Sequence, residues 1–164
     1  MMSIKEQVYQ DLKNMFAEES SGITGIQPNE IFGLLTKDLS IPEHYGIVQL
    51  DMKFRELLDY GSKLSVLKNF IEEKKSYYKF VFDNKKEDMK YNNRNYHNGQ
   101  LKKEEIDNLQ LNYQNIYEEY GAWQFFYKLA YDKWGLLDVV LGHIRTRITL
   151  LREGVKRGIE NAEG

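Results

Sequence analysis

The residue types best suited to chemistry cluster between positions 84 and 103. Lys85, Lys86, Lys90, Arg94, Lys102 and Lys103 are interleaved there with Tyr91, Tyr96 and His97. Cations placed this way sit on phosphates while rings stack on bases, so the pattern suits single-stranded nucleic acid. It also suits an acidic protein surface, because Tyr and Arg make strong interface anchors. The plain alternative is a solvated connection between two helices. A second basic group, Arg145, Arg147, Arg152, Lys156 and Arg157, lies near the C-terminus. Arginine forks bind phosphate or carboxylate through paired hydrogen bonds. Cations at a helix C-terminus also complement its dipole, and this structural use is favoured for the second group. The residues taken forward as partner-binding are Lys85, Lys86, Lys90, Tyr91, Arg94, Tyr96, Arg145, Arg147 and Arg152.

Other chemistries find little footing. The chain has no Cys, which removes thiol nucleophiles, thiolate zinc sites and disulfides. Its three histidines, His44, His97 and His143, are far apart and form no zinc-binding helix pair. There is no nucleophile elbow, no P-loop and no dinucleotide-binding glycine motif. Glu18-Glu19, Glu72-Glu73, Glu104-Glu105 and Glu118-Glu119 are adjacent pairs, which point to different helix faces and read as solvated charge rather than catalytic dyads. Trp123, Phe126, Tyr127, Tyr131 and Trp134 recur at helical spacing and read as core or as an oligomer seam. No catalytic residue, metal or cofactor is expected.

The elements that must position these groups are helices. At 164 residues the chain has a one-domain length, and its 13% aromatic content is too high for a disordered chain. No alternating run of β-branched residues exceeds four, so the fold class expected is all-α. Ser3 and Glu6 form a capping box, and Ile4, Val8, Leu12, Met15 and Phe16 predict a first helix over 3–18. Ser20, Ser21, Gly22, Thr24 and Gly25 are expected to end it. Pro28 opens a second helix to 37. Ser40-Ile41-Pro42-Glu43 predicts a third, running to Tyr60 and continuing in helical pattern to about 83. Asn84 to Gly99 is rich in Asn and is expected to be a mobile loop.

The last segment is the most regular. From Ile106 to Val155, fifteen positions in alternating steps of three and four are all apolar or aromatic. Such a seam predicts coiled-coil-like packing, with Gly121, Gly135 and Gly142 expected to bend or break the helix at least once. The architecture expected is a small N-terminal three-helix unit over 1–60, then a long antiparallel helical hairpin over 61–164 with its basic loop at about 84–103.

Charge is uneven along the chain. Net charge is −5 over 1–60, +6 over 61–103, −5 over 104–140 and +2 over 141–164. Opposite charges are therefore expected to face each other along the hairpin, setting orientation more than stability. The order of the first three helices resembles a helix-turn-helix. Its third helix carries Glu43, Asp51, Glu56 and Asp59 against Lys53 and Arg55, which suits a DNA groove poorly.

The start lacks the apolar stretch of a secretory signal, and the segment 134–144 is about half the ~20 residues that span a membrane. A cytoplasmic protein is expected. Frequent Lys, Asn, Tyr and Ile are typical of AT-rich genomes, such as those of low-GC bacteria and their phages. The function expected is non-enzymatic: a helical adaptor or inhibitor, of a phage or mobile element, that binds a macromolecule. A protein partner is placed first and nucleic acid second, through the basic loop; no membrane is involved, and a homodimer should close the leftover apolar seam. The alternative is a helix-turn-helix-like DNA-binding regulator dimerised through its long helices.

Overall fold

The structure, a computed structural model, describes residues 2–19 and 25–162. All regular elements among them are helical. Helix α1 spans Ile4–Glu19 and α2 spans Ile31–Thr36, preceded by a 3₁₀ turn at Pro28–Glu30. Two long helices follow, α3 over Ile47–His97 (51 residues) and α4 over Lys103–Ala162 (60 residues). They pack antiparallel against each other. α1 and α2 lie on the hairpin's proximal half, so one continuous core runs from Val8 to Ile148. The expected turn over Ser20–Thr24 lies outside the described residues.

The helix starts follow from local hydrogen-bond chemistry. The Ser3 amide donates to Glu6 Oε2 at 2.6 Å, and the Glu6 amide donates to Ser3 Oγ at 3.3 Å, closing the capping box of α1. These bonds hold the Glu6 carboxyl below its usual range. Val8, Leu12 and Phe16, spaced by four, are buried on one face. The Gln27 amide donates to Glu30 Oε2 at 2.7 Å and opens the short turn before α2. The Gly46 amide donates to Gln49 Oε1 at 3.0 Å where α3 begins.

That start corrects the sequence expectation of a helix from Ser40. Asp38 instead binds the Ser40 amide and hydroxyl at 2.9 and 2.8 Å, forming a local turn. Arg147, reaching over from α4, then takes the carbonyls of Pro42, Glu43 and Tyr45 at 3.2, 2.8 and 3.3 Å. Those carbonyls are the acceptors a first helical turn would need.

The seam between α3 and α4 carries most of the core. From α3, Leu50, Leu57, Tyr60, Leu64, Leu67 and Ile71 are buried in steps of three, four and seven. From α4, Trp123, Ala130, Leu137, Ile144 and Ile148 answer them. The register shows in ring contacts: Tyr78 stacks on Trp123 at 5.9 Å, and Phe82 meets Tyr113 and Tyr120 at 5.5 and 5.6 Å. Gly61 lies against α4 closely enough that a Cβ there would lie 2.9 Å from Leu137 Cδ2.

Three expectations need correction. First, the helix does not stop at 83. α3 runs on to His97 and only a short turn separates it from α4, with Gly99 at φ +72°. Asn costs a helix only about 0.5–0.7 kcal/mol relative to Ala, and no Gly or Pro intervenes between 62 and 98 to stop it. Ion pairs at helical spacing support it: Lys79–Asp83 at 2.8 Å, Lys85–Asp88 at 3.5 Å and Lys90–Glu87 at 2.7 Å. Lys85, Met89, Asn92 and Asn95 stay half-buried and continue the spacing set by Tyr78 and Phe82.

Second, α4 is unbroken. Gly121, Gly135 and Gly142 have nothing within 4 Å of a Cβ position, so no close approach demands a glycine there and the helix simply carries their propensity cost. Third, among the described residues no ion pair joins α3 to α4. The charges point to solvent, and tyrosines make the polar links instead. Tyr127 Oη donates to Glu72 Oε1 at 3.3 Å, and Tyr78 pairs with Glu119. Burial and Glu119 together push the Tyr78 pKa up.

The predicted α4 seam is buried or half-buried from Ile106 to Ile148 except at Trp134, and it ends before Leu151. Trp134 is 38% exposed, and Leu151 and Val155 are 40% and 55% exposed. From Thr149 to Gly158 every α4 residue is exposed, because α4 extends past the start of α3.

Two predictions follow from this packing. Gly135→Ala and Gly142→Ala should each stabilise the chain by about 0.5–1 kcal/mol in urea unfolding, through helix propensity. Gly61→Val should cost about 1–3 kcal/mol by forcing the buried Leu137 side chain out of its place in the core. The second concerns Tyr60, whose hydroxyl donates to the Leu34 carbonyl at 2.7 Å and so satisfies an acceptor at the end of α2. Tyr60→Phe should cost about 1–2 kcal/mol. Burial pushes the Tyr60 pKa up to about 12 from an ordinary value of 10.0. Its share of stability is therefore intact below pH 10 and is lost as pH rises towards 12. Wild type should lose stability more steeply over that interval than Tyr60→Phe.

Candidate interaction surface

The sequence-selected residues divide between the two ends of the hairpin. Lys85, Lys86, Lys90, Tyr91, Arg94 and Tyr96 ride the last turns of α3. Arg145, Arg147 and Arg152 sit near the other end, on α4. Arg145 lies over the Phe54 ring, so about 40 residues of α3, or roughly 60 Å, separate it from Arg94. No single surface uses both groups.

The proximal arginines have structural duties. Arg145 stands 5.1 Å from the Phe54 ring centroid, a cation–π contact. Arg147 spends its guanidinium on three backbone carbonyls of the segment before α3. Lys133 does the same for the Lys37 carbonyl at 2.8 Å. These α4 cations satisfy the acceptors of a stretch without regular structure. Arg152 is exposed on the part of α4 that extends beyond α3.

The distal end is different. α1 reaches α4 as far as Asn115 and Glu119. Between 84 and 115 Ile106 is the one buried residue, so this stretch is a two-helix arm. The absence of a loop turns the basic residues into fixed positions on a helix. Lys85 is half-buried and paired with Asp88. Lys90 pairs with Glu87 and holds that carboxyl below its usual range. Lys86 and Arg94 are exposed and make no ion pair among the described residues. Tyr91 is 65% exposed beside them.

Sequence reading missed two members of this surface. Tyr77 and Phe80 are 59% and 64% exposed, on the same helix. With Tyr91 and Arg94 they follow steps of three and eleven, which keep one helix face apart from that of the Tyr78–Phe82 seam. The signal was present as a second apolar line, two residues out of phase with the first. On α4, Leu111 and Tyr117 are also exposed.

A groove of about 700 Å³ also runs between α3 and α4, lined by Lys75, Lys79, Gln124, Tyr127 and Lys128. Its cations are already engaged: Lys79 by Asp83, Lys128 by Asp132 at 2.9 Å, and Lys75 by the Tyr127 ring at 3.6 Å. It offers an anion little uncompensated charge. Among the described residues no group of three or more His, Cys, Asp or Glu is placed to hold a metal ion. No helix among them is long and apolar enough to cross a membrane.

No protein-family model matches the chain, and neither the curated proteins nor the solved structures contain a match to it.

Proposed function

We propose that the chain is a helical interaction protein, an adaptor or inhibitor that acts in the cytoplasm by binding a macromolecular partner rather than by catalysis. The observation that carries this reading is the row of exposed Tyr77, Phe80 and Tyr91 along α3, which runs onto the distal arm and is flanked there by Lys86 and Arg94. Large aromatics and arginine are the side chains that anchor protein interfaces. Held on a helix, they lose little conformational freedom on binding.

The arm's charge favours a protein partner over nucleic acid. Asp83, Glu87 and Asp88 neutralise neighbouring lysines, whereas a phosphate backbone calls for a net positive track. Self-association accompanies partner binding, and the hairpin's three-and-four spacing is of the coiled-coil kind. The composition fits a phage or mobile-element accessory factor.

The triple variant Phe80→Ser, Tyr91→Ser, Arg94→Ser tests the reading, since all three side chains are exposed. It should unfold at the wild-type temperature and lose at least about 10-fold of the affinity for the protein captured by wild type from its host. Unchanged capture would remove the arm from consideration. Equal retention of random duplex DNA, with a steep salt slope, would favour a regulator instead.

A further inference from the structure

The junction of α1, α2 and α4 holds an apolar groove of about 430 Å³, away from the distal arm. Tyr9 of α1, Leu35 of α2 and Phe125, Phe126 and Leu129 of α4 form its walls. Tyr9 and Phe126 stack at 5.9 Å and make its floor rigid. Phe32 stands at the rim, 64% exposed, just off the face that buries Ile31, Leu34 and Leu35. Leu136 and Val139, 47% and 68% exposed, continue the α4 side at helical spacing from Phe125 and Leu129.

We propose that this face is a two-fold interface between copies of the chain, in which Phe32 of each copy enters the groove of the other. A two-fold contact requires one patch to hold both a projection and a matching hollow. Phe32 and the groove supply the two within one surface. The charges agree. Lys5 and Glu6 line the same groove as neighbours of opposite sign, and Lys5 lies 4.3 Å over the Phe125 ring. A patch of zero net charge meets its own copy without like-charge repulsion, and a two-fold axis can set Lys5 of one chain against Glu6 of the other. The proposal rests on the reading that this chain works through its surfaces, and it names one occupant for one of them.

Sedimentation of the full chain from about 1 μM to 1 mM tests it. Wild type should dimerise within that range, and Phe32→Asp should weaken the dimer at least about 30-fold while melting like wild type at concentrations where both are monomers, since the side chain is exposed in the single chain. Because the chain has no Cys, directed cross-linking gives a second readout. A mixture of Phe32→Cys and Phe125→Cys chains should form a mixed disulfide under mild oxidation, and a mixture of Leu111→Cys and Tyr117→Cys chains should not. A monomer throughout the range, a dimer indifferent to Phe32→Asp, or equal cross-linking in both mixtures overturns the proposal. So does a monomer whose groove takes up an apolar fluorescent dye, which would make it a small-ligand site. Partner capture by monomeric Phe32→Asp separates the two readings: capture retained with a wild-type monomer sinks this interface alone, and capture abolished only by the arm variant leaves the functional reading standing.

Discussion

The architecture depends on how closely α3 and α4 can approach. At Gly61 a methyl group on α3 would come within 2.9 Å of Leu137 Cδ2, so that side chain would have to turn away. That contact sets the axial register and brings Leu57 and Leu64 on one helix against Leu137 and Ile144 on the other. Everything in the proximal half is built around that spacing. α1 then has a fixed ridge to cover, with Phe16 against Phe70 at 4.9 Å and Tyr9 against Phe126. Trp123 fills the next layer at 1% exposure and stacks on Tyr78, though its buried Nε1 has no hydrogen-bond partner among the described residues.

The second requirement is to satisfy the backbone between α2 and α3. Ten residues run there without regular hydrogen bonding, across a surface that is half-buried in places. Unpaired carbonyls in such a position cost about 1–3 kcal/mol each. Lys133 and Arg147 of α4 supply donors to it, so the segment is held largely by side chains of a long helix. Basic residues that resemble ligand-binding groups in the sequence are thereby absorbed into the scaffold.

Much of this was legible in the amino-acid order, and the failures have identifiable causes. The all-helical class, the Ser3–Glu6 cap and the burial of Trp123, Leu137 and Ile144 followed from periodicity and hydrogen-bonding capacity. The Asn-rich stretch misled because Asn is a turn former by frequency, yet its helix cost is small when a neighbouring helix and local ion pairs support it. Trp134 misled in the other direction: it keeps the seam's spacing but sits at the flank, where α1 and α2 give no cover. The charge blocks suggested facing pairs between α3 and α4, whereas among the described residues the ion pairs form within one helix or join α3 to the neighbourhood of α2. The exposed row of Tyr77 and Phe80 was hidden by the stronger line of Tyr78 and Phe82 running alongside it.

The brief turn around Gly99 has a consequence for how the molecule assembles. A hairpin with a tight turn would ordinarily zip from that turn outwards, since the nearest pairs close the smallest loops. Here no residue between 84 and 115 belongs to the main buried cluster, whose members lie far from the turn. Glu72 and Tyr127 are 55 residues apart in sequence, and Pro42 and Arg147 are 105 apart. Closing a loop of that size instead of a short one costs only about 2 kcal/mol more in chain entropy, less than a few buried leucines return. The contacts that reward closure of the hairpin therefore lie mostly towards its base, and the turn at Gly99 offers a folding nucleus comparatively little apolar surface.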